Sequence, residues 1–227
     1  MKKVAFFDID GTVFRSSLLI ELVEELIAQE IFNKEIKNQY LPQYNAWLNR
    51  EGSYEAYINS VVSVFVENIK GVFYGDLADV GKTVVEKHSK RVYRYTRDLI
   101  KSLKEKEYFI VAISQSPKTI LDSFCESYGF DKVYGRIYEI GPQDLFTGKT
   151  EDEHLIQNKV NIVKRVLERN ELTLDGSVGV GDTEGDISLL EAVEQPICFN
   201  PNKALYTYAK QMEWRIVVER KDVTYEL

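Results

Sequence analysis

Short, nearly continuous apolar runs alternate along this chain with longer segments whose apolar residues recur every three or four positions. KVAFFD, from Lys3 to Asp8, is apolar until it meets an aspartate and then DGT, which reads as a buried strand running into a turn. FIVAIS (Phe109 to Ser114) and SVGVGD (Ser177 to Asp182) repeat that form, and PICFN and WRIVV supply shorter strand candidates. Helical spacing covers roughly Val92 to Lys106, Pro117 to Tyr128, His154 to Arg169, Glu184 to Val193 and Ala204 to Gln211. Strands alternating with helices predict an α/β fold with a mostly parallel sheet covered on both faces. Ligands bind such sheets outside the strand C-termini, where Asp8, Ser114 and Asp182 fall.

The stretch from Phe14 to Val85 breaks the rhythm. In LLIELVEELIAQEIF, Leu18, Leu22 and Leu26 share a helical face, and YEAYINSVVSVFVENI has helical spacing too. The expectation is an inserted helical cap, residues 14–85, over a catalytic core of residues 1–13 and 86–227, with Gly71 to Gly81 near the return. The plainer alternative makes these helices ordinary crossovers. Residues 132–150 mix β-branched and aromatic residues with turn formers and predict a small hairpin or flap.

Composition narrows the function classes. With 44% hydrophobic residues in 227 there is material for a core, while a formal charge of -7 disfavours a broad nucleic-acid or anionic-membrane surface. Cys125 and Cys198 lack metal-ligand or CxxC spacing and read as free thiols in a reducing compartment. The opening MKKVAFFDIDG reaches aspartate too soon for a signal peptide or a membrane span, so the expected setting is cytoplasmic. Two glycine motifs mislead. GVGDTEG has Glu184 where a dinucleotide fingerprint needs its third glycine, and FTGKT has Gln143 where a phosphate-binding loop needs its first.

Two acidic clusters carry more. In DIDGT, Asp8 and Asp10 have the period-two spacing that projects both to one side of a strand end, and Gly11 permits a tight turn beside an anion. Two such carboxylates repel unless a cation neutralises them, and a hard divalent ion accounts for the placement. In GDTEGD, Asp182 and Asp186 converge if a helix starts near Thr183, which suits magnesium ligation. The bland readings are an exposed acidic strand end for the first and helix capping for the second.

Taken in order, DIDGT, AISQSP with Ser114, Lys159 and GVGDTEGDISLL resemble the four motifs of the haloacid-dehalogenase (HAD) superfamily. The resemblance spans residues 8–190 and points to the phosphoserine-phosphatase-like branch, an α/β fold with a Rossmannoid parallel sheet core and an inserted helical cap. It implies a Mg2+-dependent phosphomonoester hydrolase working through an aspartyl-phosphate, with Asp8 as nucleophile and Asp10 as acid and base. Asp8, the backbone carbonyl of Asp10 and Asp182 would hold Mg2+, with Asp186 organising that shell directly or through water. Ser114 would bind a phosphoryl oxygen, Lys159 would neutralise nucleophile and phosphoryl group, and Thr12 would add phosphate positioning.

The implied partner is a small-molecule phosphomonoester, with neither nucleic acid nor stable membrane insertion, and the oligomeric state stays open. Phosphoserine itself fits less well. Its hydrolases read DxDST with a glutamate nine residues after the nucleophile, where this chain has Gly11 and Ser17, and Arg50 lacks the Phe-Glu setting of their cap arginine. Phosphoserine hydrolysis, phosphoryl transfer to an organic acceptor and a catalytically inactive phosphate-binding module stand as alternatives. Phe14, Tyr54, Tyr57 and Arg50 are candidates to line a cap pocket, and Arg15, Ser16 and Ser17 to face its entrance. His88, His154 and Asn200 read as capping, surface or turn residues.

Overall fold

The computed structural model describes residues 1–151 and 158–227. Its strands are β1 (Lys2–Asp8), β2 (Phe109–Pro117), β3 (Lys132–Ile140), β4 (Phe146–Glu151), β5 (Leu172–Gly181), β6 (Gln195–Phe199), β7 (Arg215–Arg220) and β8 (Val223–Glu226). They form one sheet in the order β4-β3-β2-β1-β5-β6-β7-β8, parallel except at its two ends, where β4 and β8 run antiparallel to their neighbours. The chain runs outward from β1 through β2 to β3, then returns beside β1 as β5 and runs outward the other way. Such a reversal opens a crevice at the strand C-termini.

Alternation along β1 explains the layering. Ala5 and Phe7 belong to one apolar cluster and Val4 and Phe6 to another, so both faces are covered and the strand reads as continuously apolar. Among the described residues the helices are α1 (Leu18–Ala28), α2 (Lys37–Leu48), α3 (Tyr54–Asn68), α4 (Tyr74–His88), α5 (Arg94–Glu105), α6 (Lys118–Glu126), α7 (Lys159–Arg169), α8 (Ile187–Leu190) and α9 (Lys203–Gln211). The Ala5/Phe7 face shares its cluster with Leu22 and Leu26 of α1, Phe65 of α3, Val80 and Val84 of α4 and Phe124 of α6. Ile162, Val163 and Val166 of α7 pack on the other face.

The chain enters and leaves the α1–α4 segment side by side, and the segment's buried side chains join the core on that face of the sheet. Arg15 N donates to the Arg91 carbonyl at 2.8 Å and Tyr93 N to the Val13 carbonyl at 3.0 Å, an antiparallel contact beside the bridge between Phe14 and Val92. Residues 71–81, expected near a return, lead into α4, the last helix before the chain rejoins the sheet at Val92, and Gly75 and Gly81 lie within that helix. Residues 132–150 form β3 and β4. The first half of β3 extends the main sheet alongside β2, and its second half pairs with β4 as the expected hairpin. The expected helix over Glu184 to Val193 is a 3-10 turn followed by the short α8, because Asp186 draws the turn tight. His154 lies outside the described residues, and the helix expected there is described from Lys159.

Candidate active site

β1 ends at Asp8, level with Ile113 of β2, at the crevice. Lys159 opens α7 and extends its stem inward until it is only 5% exposed. Its Nζ donates to Asp8 Oδ1 and to Asp186 Oδ1, both at 2.5 Å. Asp186 is fully buried, and its Oδ2 accepts from the backbone N–H groups of Asp182 at 3.0 Å and Thr183 at 3.1 Å. This reciprocal capping of the 3-10 turn fixes the carboxylate. Gly181 leaves room for it, since any Cβ there would run into Asp186. Opposite, Thr12 Oγ1 donates to Asp182 Oδ1 at 3.2 Å. Gly11, at φ 84, lets the loop pass Asp182 where a side chain would strike its carboxylate. The Gly11 N–H is committed within the loop, to the carbonyls of Phe14 and Ser16.

Carboxylate oxygens of Asp8, Asp182 and Asp186 lie within 4.8 Å of one another. Set against the Lys159 ammonium, three carboxylates leave a formal surplus of two negative charges in a largely buried site. Burial pushes the Asp8 carboxyl up to about 7, with Asp186 and Asp10 adding to the rise and Lys159 opposing it. Burial, then the charges of Asp8 and Asp186, drives Asp182 well above the usual carboxylate range. Burial works against the Lys159 ammonium, but Asp186 and Asp8 outweigh it and hold the group firmly charged. One atom stands out: Asp8 Oδ2 is buried and has no hydrogen-bond partner. An all-oxygen donor set, surplus negative charge and a free lone pair fit a hard divalent cation such as Mg2+.

Asp10 belongs to a separate group. Its Oδ1 accepts from the Leu18 N–H at 2.6 Å, and its Oδ2 accepts from the Ser114 hydroxyl and, at 2.8 Å, from the Ser116 hydroxyl. Ser116 N donates in turn to Ser114 Oγ at 2.9 Å. Leu18 is the first residue of α1, and the preceding Ser17 makes no side-chain cap bond, so Asp10 fills the place of the N-cap acceptor.

Residues 5–191 match the model of the family described as haloacid dehalogenase-like hydrolase. The chain belongs to that family. A phosphoserine phosphatase of Methanocaldococcus jannaschii is 24% identical over 225 residues, covering 98% of this chain and 94% of its own. A protein of unknown function from Bordetella pertussis Tohama I superposes with a TM-score of 0.75 at 17% identity, over 95% of this chain and 98% of its own. A phospho-aspartyl intermediate analogue of phosphoserine phosphatase does so with a TM-score of 0.62 at 23% identity, over 97% and 95%. At these identities the structural likeness speaks for the fold. The family is one of hydrolases, and the phosphoserine activity named above is that of the relatives.

In this HAD fold the seven residues singled out in the sequence, Asp8, Asp10, Thr12, Ser114, Lys159, Asp182 and Asp186, come together at one sheet edge in the two hydrogen-bonded groups above. Sequence reasoning missed Ser116 and the Leu18 amide. The Ser-x-Ser spacing was a usable signal, because residues two apart on β2 share a face. Around the mouth, burial and then the charges of Asp10 and Asp182 raise the Tyr54 phenol above its ordinary range. Burial and then Asp182 do the same to Tyr93. The Arg15 guanidinium lies 5.6 Å from the Tyr93 ring centroid, and Asn202 N donates to the Asp182 carbonyl at 2.8 Å. Asn200 accepts from Glu219 N at 2.9 Å, joining the turn after β6 to β7. Arg50 is exposed on the turn between α2 and α3, at φ 65. His88 faces Glu21 at 3.5 Å, on the α1–α4 contact.

Proposed function

We propose that this chain is a Mg2+-dependent phosphomonoester hydrolase that acts on small organic phosphates through an aspartyl-phosphate on Asp8. The observation that carries the reading is the Asp8 carboxylate, held through Oδ1 by Lys159 while its buried Oδ2 has no partner. In the first half-reaction an Asp8 oxygen attacks phosphorus, the bond from phosphorus to the leaving oxygen breaks, and the Asp10 carboxyl proton passes to that oxygen. In the second, Asp10 takes a proton from water, the water oxygen attacks phosphorus, and the bond to Asp8 breaks to give inorganic phosphate and the free carboxylate.

Asp8, Asp182 and the Asp10 backbone carbonyl would hold Mg2+, which would supply positive charge to the phosphoryl group. Lys159 adds a second positive charge at the nucleophile. Both Asp186 oxygens already accept N–H bonds, which supports a role in orienting Lys159 and the metal-binding turn. The Thr12 hydroxyl is given to Asp182, which supports holding that carboxylate in place. Ser114 would turn its hydroxyl from Asp10 to a phosphoryl oxygen when substrate enters.

The helical segment, about residues 14–85, serves as a cap that closes over the carboxylates and excludes water, favouring small leaving groups. A cytoplasmic setting agrees with two buried thiols, and no helix among the described residues is long and apolar enough to cross a membrane. The phosphoserine reading draws on the named relatives. Ser17, at the position of the cap-entrance glutamate, is buried and carries no charge to meet an ammonium group.

The test is phosphate release from a panel of small phosphomonoesters, with and without Mg2+, alongside Asp8→Asn. Activity that needs both the metal and Asp8 is expected. Folded wild-type protein that releases no phosphate from any substrate would overturn the reading.

A further inference from the structure

The helical segment reaches the Asp10 carboxylate through a backbone N–H. Leu18 N, the first amide of α1, donates to Asp10 Oδ1 at 2.6 Å, and no side chain of the segment caps that helix end. The opposite oxygen is held by the Ser114 and Ser116 hydroxyls, both from β2. Asp10 is therefore gripped from two sides, one belonging to the sheet and one to the helical segment. Of the two serines, Ser114 is the one assigned to leave for the phosphoryl group, which makes Leu18 N and Ser116 the standing donors.

We propose that the Leu18 backbone N–H and the Ser116 hydroxyl are positioning groups for the Asp10 carboxyl, so that the proton donor is in place only while α1 is seated. This rests on the proposed hydrolase reading. It goes beyond that reading by tying the acid to the helical segment through a hydrogen bond that no side-chain motif encodes. An exposed acidic loop would rotate freely. Here α1 is anchored by six buried apolar side chains, Leu18, Leu19, Leu22, Val23, Leu26 and Ile27, so its first amide is a rigid reference point.

The geometry permits a clean removal of the donor. Ser17 has φ -113 and ψ 131, the extended conformation that a following proline requires, and position 18 is the first helical residue, where proline is tolerated. Leu18→Pro thus deletes the N–H while Leu18→Ala keeps it, and both lose the same buried leucine. A second route keeps the side chain: a backbone ester at position 18, made with the α-hydroxy analogue of leucine. Ser116→Ala removes the other donor.

The readout is leaving-group dependence. A misplaced proton donor slows substrates whose leaving oxygen must be protonated and spares those whose leaving oxygen departs as a stable anion. Relative to Leu18→Ala, Leu18→Pro is expected to lower kcat about 10- to 100-fold on ethyl phosphate and less than about 3-fold on p-nitrophenyl phosphate. The ester should show the same split against wild type, and Ser116→Ala a smaller one. Equal losses on both substrates in the ester and in Leu18→Pro would overturn the inference. The hydrolase reading fails separately, if wild type with Mg2+ hydrolyses neither substrate.

Discussion

At the sheet edge Asp8 is 7% exposed, Lys159 5% and Asp186 fully buried, and each is fixed by charged hydrogen bonds from parts of the chain far apart in sequence. At the α2–α3 end of the helical segment the groups are aromatic and local. Trp47 stacks on Tyr57 at 5.7 Å, meets Tyr54 edge-on at 5.4 Å, and Tyr54 stays 38% exposed. The first region holds its atoms by electrostatics among buried side chains, which suits a reaction whose charges always develop in the same places. The second holds its shape by ring packing, which leaves faces free to meet different leaving groups. Changes at the edge should therefore alter whether the reaction runs, and changes at the tip should alter on what.

The sharpest break is Asp8→Asn. Loss of the nucleophile is expected to lower kcat by on the order of 10⁴-fold or more for every substrate, measured as phosphate release at saturating Mg2+. A substrate-dependent loss would erase the division between the two regions.

Lys159→Met should come next, and its effect reaches stability as well as rate. Without the ammonium, the buried Asp8 and Asp186 carboxylates lose their counter-charge, which is expected to cost about 3–5 kcal/mol in metal-free protein at a pH where both are ionised. Urea unfolding measures this. A cost below about 1 kcal/mol would mean that the Lys159 ammonium is not what holds these carboxylates.

Metal addition gives a smaller and reversible shift. Mg2+ at a hundredfold excess over its Kd should stabilise the fold by about 2.7 kcal/mol, and chelation should remove that gain. Asp182→Asn should abolish the Mg2+ shift, whereas tip variants should keep it. An undiminished shift in Asp182→Asn would remove Asp182 from the ligand set.

The two regions also differ in how far they could be read from the chain. The edge was legible because its residues sit at strand ends: DIDGT, Ser114 and GDTEGD each follow an apolar run, and parallel strands bring such ends together. Lys159 alone looks like a surface residue, and only the order of motifs marks it. The Leu18 amide has no side-chain signature, and Ser116 was hidden by the attention that Ser114 draws. β8 went unread because VTYE is only four residues long, and its alternating Val223 and Tyr225 are too few to mark a strand and are both exposed. α4 was blurred by Gly75 and Gly81, which look like turn residues in sequence but are placed inside a helix by tertiary packing. In the tip, helical spacing gave α3, while the approach of Tyr54 to the acids depends on how α2 and α3 pack, which no local pattern encodes.

Tyr54 is therefore where the comparison is tested most finely. Its phenol feels the charges of Asp10 and Asp182, yet its ring belongs to the aromatic group with Trp47 and Tyr57. Tyr54→Phe keeps the ring and removes the hydroxyl, so packing at the tip should persist. If the hydroxyl contacts the leaving group, its loss is worth one ordinary hydrogen bond, about 0.5–1.5 kcal/mol, or roughly 2- to 12-fold in kcat/KM. That loss should appear in KM, and only for substrates whose leaving group offers a polar partner, with kcat and the Mg2+ shift unchanged. Steady-state kinetics on matched phosphates with and without a hydroxyl on the leaving group decides the matter. A uniform fall in kcat would move Tyr54 out of the region that chooses the substrate and into the region that performs the reaction.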